Sequence, residues 1–270
     1  MKANKAAERK KKKNTGWNRF YLFRLFARFF IACYFFGIYL TNRELLDISG
    51  FPKWAGLYIL AGIILIDFIL RFIPLKNHPM GMKKHLKREF LPSLAYKNDP
   101  TLTVEDYKEI KKMDRQLLKG CLFYFGITAV FYVLYFLKIF GVPEMLLVML
   151  AYWVGDMICV NLFCPFKLIM KNRCCTNCRI YNWDAFFLVF PLAVVPGLLT
   201  WVLLLVAIAY TFLWELNFRM HPERFLERTN MAIRCERCRK DLCPVKRKVF
   251  LKACFGRGTE DKREKKVPKR

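Results

Sequence analysis

Thirty consecutive residues, Ala185 to Trp214, carry no charged side chain. Water offers such a run no stable state on its own. In lipid it must satisfy every backbone N–H and C=O internally, and a helix does that. Leu57 to Phe72 repeats the pattern with only Asp67 and Arg71 as charges. Yet the 270-residue chain holds 47 Lys and Arg. Apolar and charged residues are thus sorted into blocks, where a soluble globule would alternate them at helix or strand period. The expectation is an all-α integral membrane protein.

Five apolar blocks stand out: Trp17 to Leu40, Trp54 to Ile73, Gly120 to Phe140, Met145 to Phe163 and Ala185 to Leu216. Lys and Arg number 10 in residues 1–28, 2 in 41–53, 11 in 74–119, 1 in 138–144, 4 in 164–184 and 18 in 217–270. Basic loops stay cytoplasmic. The first four blocks then cross alternately, starting inside. The fifth is too long for one upright helix, and Pro191, Pro196 and Gly197 interrupt it. A hairpin bent near Pro196-Gly197, either two short helices or a re-entrant pair, keeps the basic tail in the cytoplasm. Four full spans and two short ones follow.

The net charge of +26 does not point to nucleic acid, because the excess sits at the ends of apolar runs, where topology needs it. The partner it implies is membrane lipid. The first block is too long, and lacks the small-x-small site, for a cleaved signal. Residues 1–16 read as a disordered basic leader, 17–73 as a first transmembrane hairpin and 74–119 as a cytoplasmic loop. Residues 120–163 form a second hairpin, 164–184 a cysteine-rich loop and 185–216 the broken hairpin. A cysteine-rich tail covers 217–254, with a disordered basic end at 255–270. Arg24 and Arg28, one turn apart, are expected to snorkel to an interface. Within 74–119, Thr103 and Asp106 mark a helix start. Val104, Tyr107, Ile110, Met113 and Leu117 then recur at helical spacing, giving an amphipathic helix on the membrane surface or one packed on protein.

Eleven cysteines are present. Cys33 and Cys121 lie in apolar blocks and read as packing residues, and Cys254 stands alone. The other eight form two cytoplasmic groups: Cys159, Cys164, Cys174, Cys175 and Cys178, then Cys235, Cys238 and Cys243. A reducing compartment disfavours structural disulfides. Cys175-x-x-Cys178 and Cys235-x-x-Cys238 have the gap that lets two sulfurs converge on one ion, and basic neighbours such as Arg179 and Arg237 offset thiolate charge. Zinc in a four-thiolate staple is one reading. Iron–sulfur is the other, favoured because Cys164-Pro165 and Cys243-Pro244 end in Cys-Pro. Eight thiols suffice for two 4Fe-4S clusters. Palmitoylation of Cys174 and Cys175 is a third reading.

Cys159-x4-Cys164-Pro165-Phe166 and Cys235-x2-Cys238-x4-Cys243-Pro244 resemble the Cys-Pro segments of ferredoxin-type (polyferredoxin) membrane electron-transfer proteins. The full closely spaced four-cysteine run of that family is absent. The resemblance implies iron–sulfur electron transfer at the cytoplasmic face, with a lipid-soluble carrier such as a quinone and a soluble redox partner.

Asp67 and Asp156 lie inside the blocks, and intramembrane carboxylates are functional candidates. Arg71, one turn from Asp67, is positioned to neutralise it. Asp156 precedes Cys159 by three residues and should share its face, as a proton relay, a group beside a metal or a helix–helix contact. It is the candidate catalytic residue. Tyr181 and Trp183 read as interface anchors, and Asp184 as the cap of the next helix. With three histidines, all in loops, a transmembrane haem pair is excluded. Glycine-loop, nucleophile-elbow and HExxH motifs do not occur, and no particular enzyme class is indicated.

Overall fold

The computed structural model describes residues 2–72, 87, 90–162, 164–166 and 178–234; in the first two helices the described side chains run from Tyr21 to Ile69. Among the described residues seven α-helices follow one another. They are α1 (Lys2–Thr41), α2 (Ala55–Phe72), α3 (Leu94–Asn98), α4 (Val104–Phe136), α5 (Val142–Asn161), α6 (Asp184–Val189) and α7 (Leu198–Met220). Among the described residues no strand forms, and only two isolated bridges occur, Gly50 with Gly197 and Pro92 with Asn230.

Four segments are long and apolar enough to cross a membrane: Tyr21–Thr41, Val104–Phe136, Val142–Asn161 and Leu198–Met220. Two shorter apolar segments, Ala55–Ile69 and Asp184–Val194, accompany them. Six apolar segments were expected, but the long and short ones fall differently. The second half of the fifth block is a full 23-residue helix, and only its first half is short.

That first half is drawn out. After α6 the chain tightens into a 3₁₀ turn over Phe190–Val194 and runs extended through Val195 and Gly197. The Gly50 N–H donates to the Pro196 carbonyl at 3.0 Å, and the Leu198 N–H to the Gly50 carbonyl at 3.3 Å. The bend at Pro196-Gly197 therefore sits beside the α1–α2 loop. At the opposite end Trp183 Nε1 donates to Glu215 of α7 at 2.8 Å. From Leu198 to Glu215 α7 rises about 26 Å, so residues 184–197 cover a similar distance in fewer residues. The larger rise of 3₁₀ and extended backbone, ~2.0 and ~3.3 Å per residue, makes that possible. Irregular backbone at this depth is tolerated because Leu188, Val189, Leu192 and Val195 are buried against other helices.

α5 is the centre. Met145, Met149, Leu150 and Trp153 are almost wholly buried, and α1, α6 and the 3₁₀ turn pack against it. The outward faces are apolar: Phe26 and Phe30 of α1, Leu122 and Val130 of α4, and Leu205 and Phe212 of α7 are exposed. Apolar belts of that size belong against lipid.

α1 runs from Lys2, through Ala, Lys, Glu and Arg residues that favour helix. The amphipathic stretch after Thr103 is the first half of α4, a single helix of 33 residues, about 50 Å long. Met113 and Leu117 are buried against protein, in keeping with the second of the two readings of this stretch. Its start is as expected: Thr103 and Asp106 close a capping box.

Candidate functional site

A cavity of about 260 Å³ opens between α4, α5 and α6 at the end of the molecule away from Gly50. Phe123, Tyr124 and Ile127 of α4 form one wall, Tyr152, Asp156 and Cys159 of α5 another, and Phe187 of α6 the back. Cys164, Phe166, Cys178 and Tyr181 close its inner end. Phe123 meets Phe166 edge-on, with ring centroids 5.8 Å apart. Phe123 and Ile127 are also exposed on the apolar outer face of α4, so the cavity has a lipid-side wall.

Three of the eight cysteines singled out by spacing, Cys159, Cys164 and Cys178, thus line one cavity with Asp156. The i, i+3 relation puts Asp156 and Cys159 on the same face, as expected. Cys174, Cys175, Cys235, Cys238 and Cys243 lie outside the described residues, as does the side chain of Arg71. Among the described residues no three His, Cys, Asp or Glu side chains are grouped as metal ligands. Neither Cys33 nor Cys121 is among the lining residues; the first is exposed on α1 and the second is buried behind the wall, beside Leu117 and Tyr124.

Behind Asp156 lies a buried ionic network. Arg28 donates from Nη1 to Asp156 Oδ2 at 3.0 Å and to the Trp153 carbonyl at 2.8 Å, and from Nη2 to Asp67 Oδ2 at 2.8 Å. Arg24 pairs with the other oxygen of Asp67. The Arg28 guanidinium lies 5.0 Å from the centre of the Trp153 ring. Arg28 is 3% exposed. It does not reach an interface, which corrects the snorkelling expectation: two carboxylates on α2 and α5 offer it a closer neutralising partner than water. Among the described side chains two guanidiniums face two carboxylates, and such a balance is the condition under which burying ions is tolerable. Asp67 is therefore paired with Arg24 and Arg28, whatever Arg71 does. An Arg three turns inside an apolar block is the signal that pointed here; its partners, 39 and 128 residues away in sequence, were out of reach of local pattern.

A second network holds the segment that carries Cys178. Arg179, 4% exposed, pairs with Asp114 of α4 and Glu215 of α7, and its guanidinium lies 3.9 Å from the centre of the Phe218 ring. Trp183 adds its bond to Glu215. Trp183 and Tyr181, expected as interface anchors, face inward instead, since Glu215 and the cavity offer them partners. Asp184 is the first residue of α6, not its cap, and its carboxylate lines the cavity. Further along, Arg228 grips Asp106 of α4 through Nε at 2.7 and 2.9 Å.

Helices long and apolar enough to cross a membrane surround a cavity lined by thiol- and carboxylate-bearing residues, an arrangement compatible with a helical integral membrane protein. No family model matches the chain, and neither a curated protein nor a solved structure does.

Proposed function

We propose that the chain is a membrane-embedded metal-centre protein that moves electrons between thiolate-bound iron at the cytoplasmic face and a lipid-soluble carrier, such as a quinone, held in the cavity. One observation supports the reading: α4 holds both the residue next to Cys178 and the described stretch that ends just before Cys235. Asp114 holds Arg179, the neighbour of Cys178, and Asp106 holds Arg228, seven residues before Cys235. Eight helical residues separate the two anchors, about 12 Å, so the two groups start within reach of one another.

The donor set fits such a centre. Cys164 and Cys178, with Cys174, Cys175, Cys235, Cys238 and Cys243, supply soft sulfur ligands, which suit iron–sulfur clusters or zinc. Bound there, iron would supply one-electron chemistry. The chain's own part is to keep water from the apolar cavity and to set Asp156 and Cys159 on its wall. The basic counts put this end of the molecule, with both termini, in the cytoplasm. The alternative, a zinc-stapled membrane protein with a transport, scaffold or lipid-modifying role, uses the same sulfurs.

Protein purified without oxygen decides between them. Iron centres absorb broadly near roughly 400 nm, whereas zinc, with a filled d shell, is colourless. The expected preparation is brown, contains iron and acid-labile sulfide, and bleaches with dithionite. Stoichiometric zinc without iron sinks electron transfer and leaves the staple.

A further inference from the structure

The polar groups of the cavity differ in what they can exchange with a bound molecule. Asp156 is fixed in an ion pair with a buried guanidinium 3.0 Å away, and an ionised carboxylate accepts hydrogen bonds and donates none. Its two oxygens have room for about four such bonds. Asp184 puts a second carboxylate on the lining. Tyr124, which also lines the cavity, gives its hydroxyl proton to the Phe187 carbonyl. The rings of Phe123, Tyr152, Phe166 and Phe187 make a flat, apolar wall, which suits a planar ring, while Tyr181 and the weakly donating thiols of Cys159, Cys164 and Cys178 complete the lining.

A quinone presents only carbonyl acceptors, and two acceptors facing each other leave both unpaired. A hydroquinone presents two O–H donors. We infer that the cavity binds the reduced, hydroxyl-bearing form of a lipid-soluble ring carrier, through a hydrogen bond from its hydroxyl to Asp156, with Arg28 as the positioning residue that keeps that carboxylate an acceptor. The inference rests on the carrier reading above. Oxidation of the bound form would give up two electrons, which two ferric ions held by the thiolates would take one each, and two protons, which would pass to water.

Binding tests this without turnover. Wild-type protein in nanodiscs, kept free of oxygen, is dialysed to equilibrium against a short-chain alkyl hydroquinone, its dimethyl ether and the matching quinone, with empty nanodiscs as background. The expected result is at least about tenfold tighter binding of the hydroquinone than of either acceptor-only compound, the cost of one unpaired buried group. Asp156→Asn should bring the three compounds close to parity. Because that change strands the Arg28 charge, the paired variant Arg28→Gln/Asp156→Asn, which removes one charge of each sign, provides a second reading; it should melt near wild type and also lose the preference. Equal binding of quinone and hydroquinone by the wild type overturns the inference, as does an undiminished preference in the paired variant. A preference retained by protein that holds no iron supports the assignment of the cavity and sinks the electron-transfer reading instead.

Discussion

Arg28 of α1 and Asp156 of α5 meet at 3.0 Å, 128 residues apart in sequence, and join the back of the molecule to the wall of its cavity. Because Arg28 also holds Asp67 and the Trp153 carbonyl, its loss takes the buried guanidinium from Asp156 and leaves Asp67 its pair with Arg24. Arg28→Ala should lower stability by about 3–5 kcal/mol, the range for breaking a buried pair, read as a large drop in melting temperature in detergent. A drop of under a degree would mean that water reaches the network.

The close approach at the far end makes a separate claim. A Cβ on Gly197 would run into the carbonyl oxygen of Ile48, whereas one on Gly62 in α2 meets nothing. Gly197→Ala should cost about 1–3 kcal/mol by overpacking, and Gly62→Ala should be neutral or gain up to about 1 kcal/mol through helix propensity. Equal melting temperatures for the two variants would show that the 48–50 loop yields.

Arg179 holds the residue next to Cys178 against α4 and α7. Losing a charge-assisted hydrogen bond worth about 1.5–3 kcal/mol should raise the alkylation rate of Cys178 by a maleimide about tenfold or more in Arg179→Ala. Site-resolved mass spectrometry measures this, with Cys33, exposed on α1, unchanged as the internal control. An unaltered Cys178 rate removes Arg179 from the role of clamp.

Topology is checked with reporter fusions after Asp47, Phe90, Gly141, Cys175 and Lys265. Only the first and third should report the outer face. An outer signal at Lys265 would contradict the hairpin at Pro196-Gly197 and separate the two cysteine groups by the bilayer.

Replacing Cys178 with Ser should remove colour and lower stability, because metal binding is coupled to folding. Cys33→Ser and Cys121→Ser should leave colour intact. Equal colour in all three, by absorbance per protein, would take Cys178 out of the ligand set.

What could be read in advance was local. Charge-free runs located the six apolar segments, Pro196-Gly197 located the bend, and Thr103 with Asp106 located the start of α4. The three-residue step from Asp156 to Cys159 placed both on one face, where the cavity lies. The partners of the intramembrane charges were hidden, since nothing local tells Arg28 to turn inward: whether it snorkels or pairs depends on Asp67 and Asp156 arriving on other helices. The drawn-out crossing from Asp184 to Gly197 was hidden for the same reason. Its 3₁₀ and extended backbone are stable only because neighbouring helices cover them, and α4 gives no local sign of where it leaves the bilayer.

The charge balance of Arg24, Arg28, Asp67 and Asp156 has an electrical consequence. A single elementary charge carried across a membrane does work of about 2.3 kcal/mol for each 100 mV of potential. Two positive and two negative charges moving together do almost none. A shift or tilt of all four side chains together therefore does little work against the voltage. Removing one carboxylate turns the same site into a charge that the transmembrane field can push.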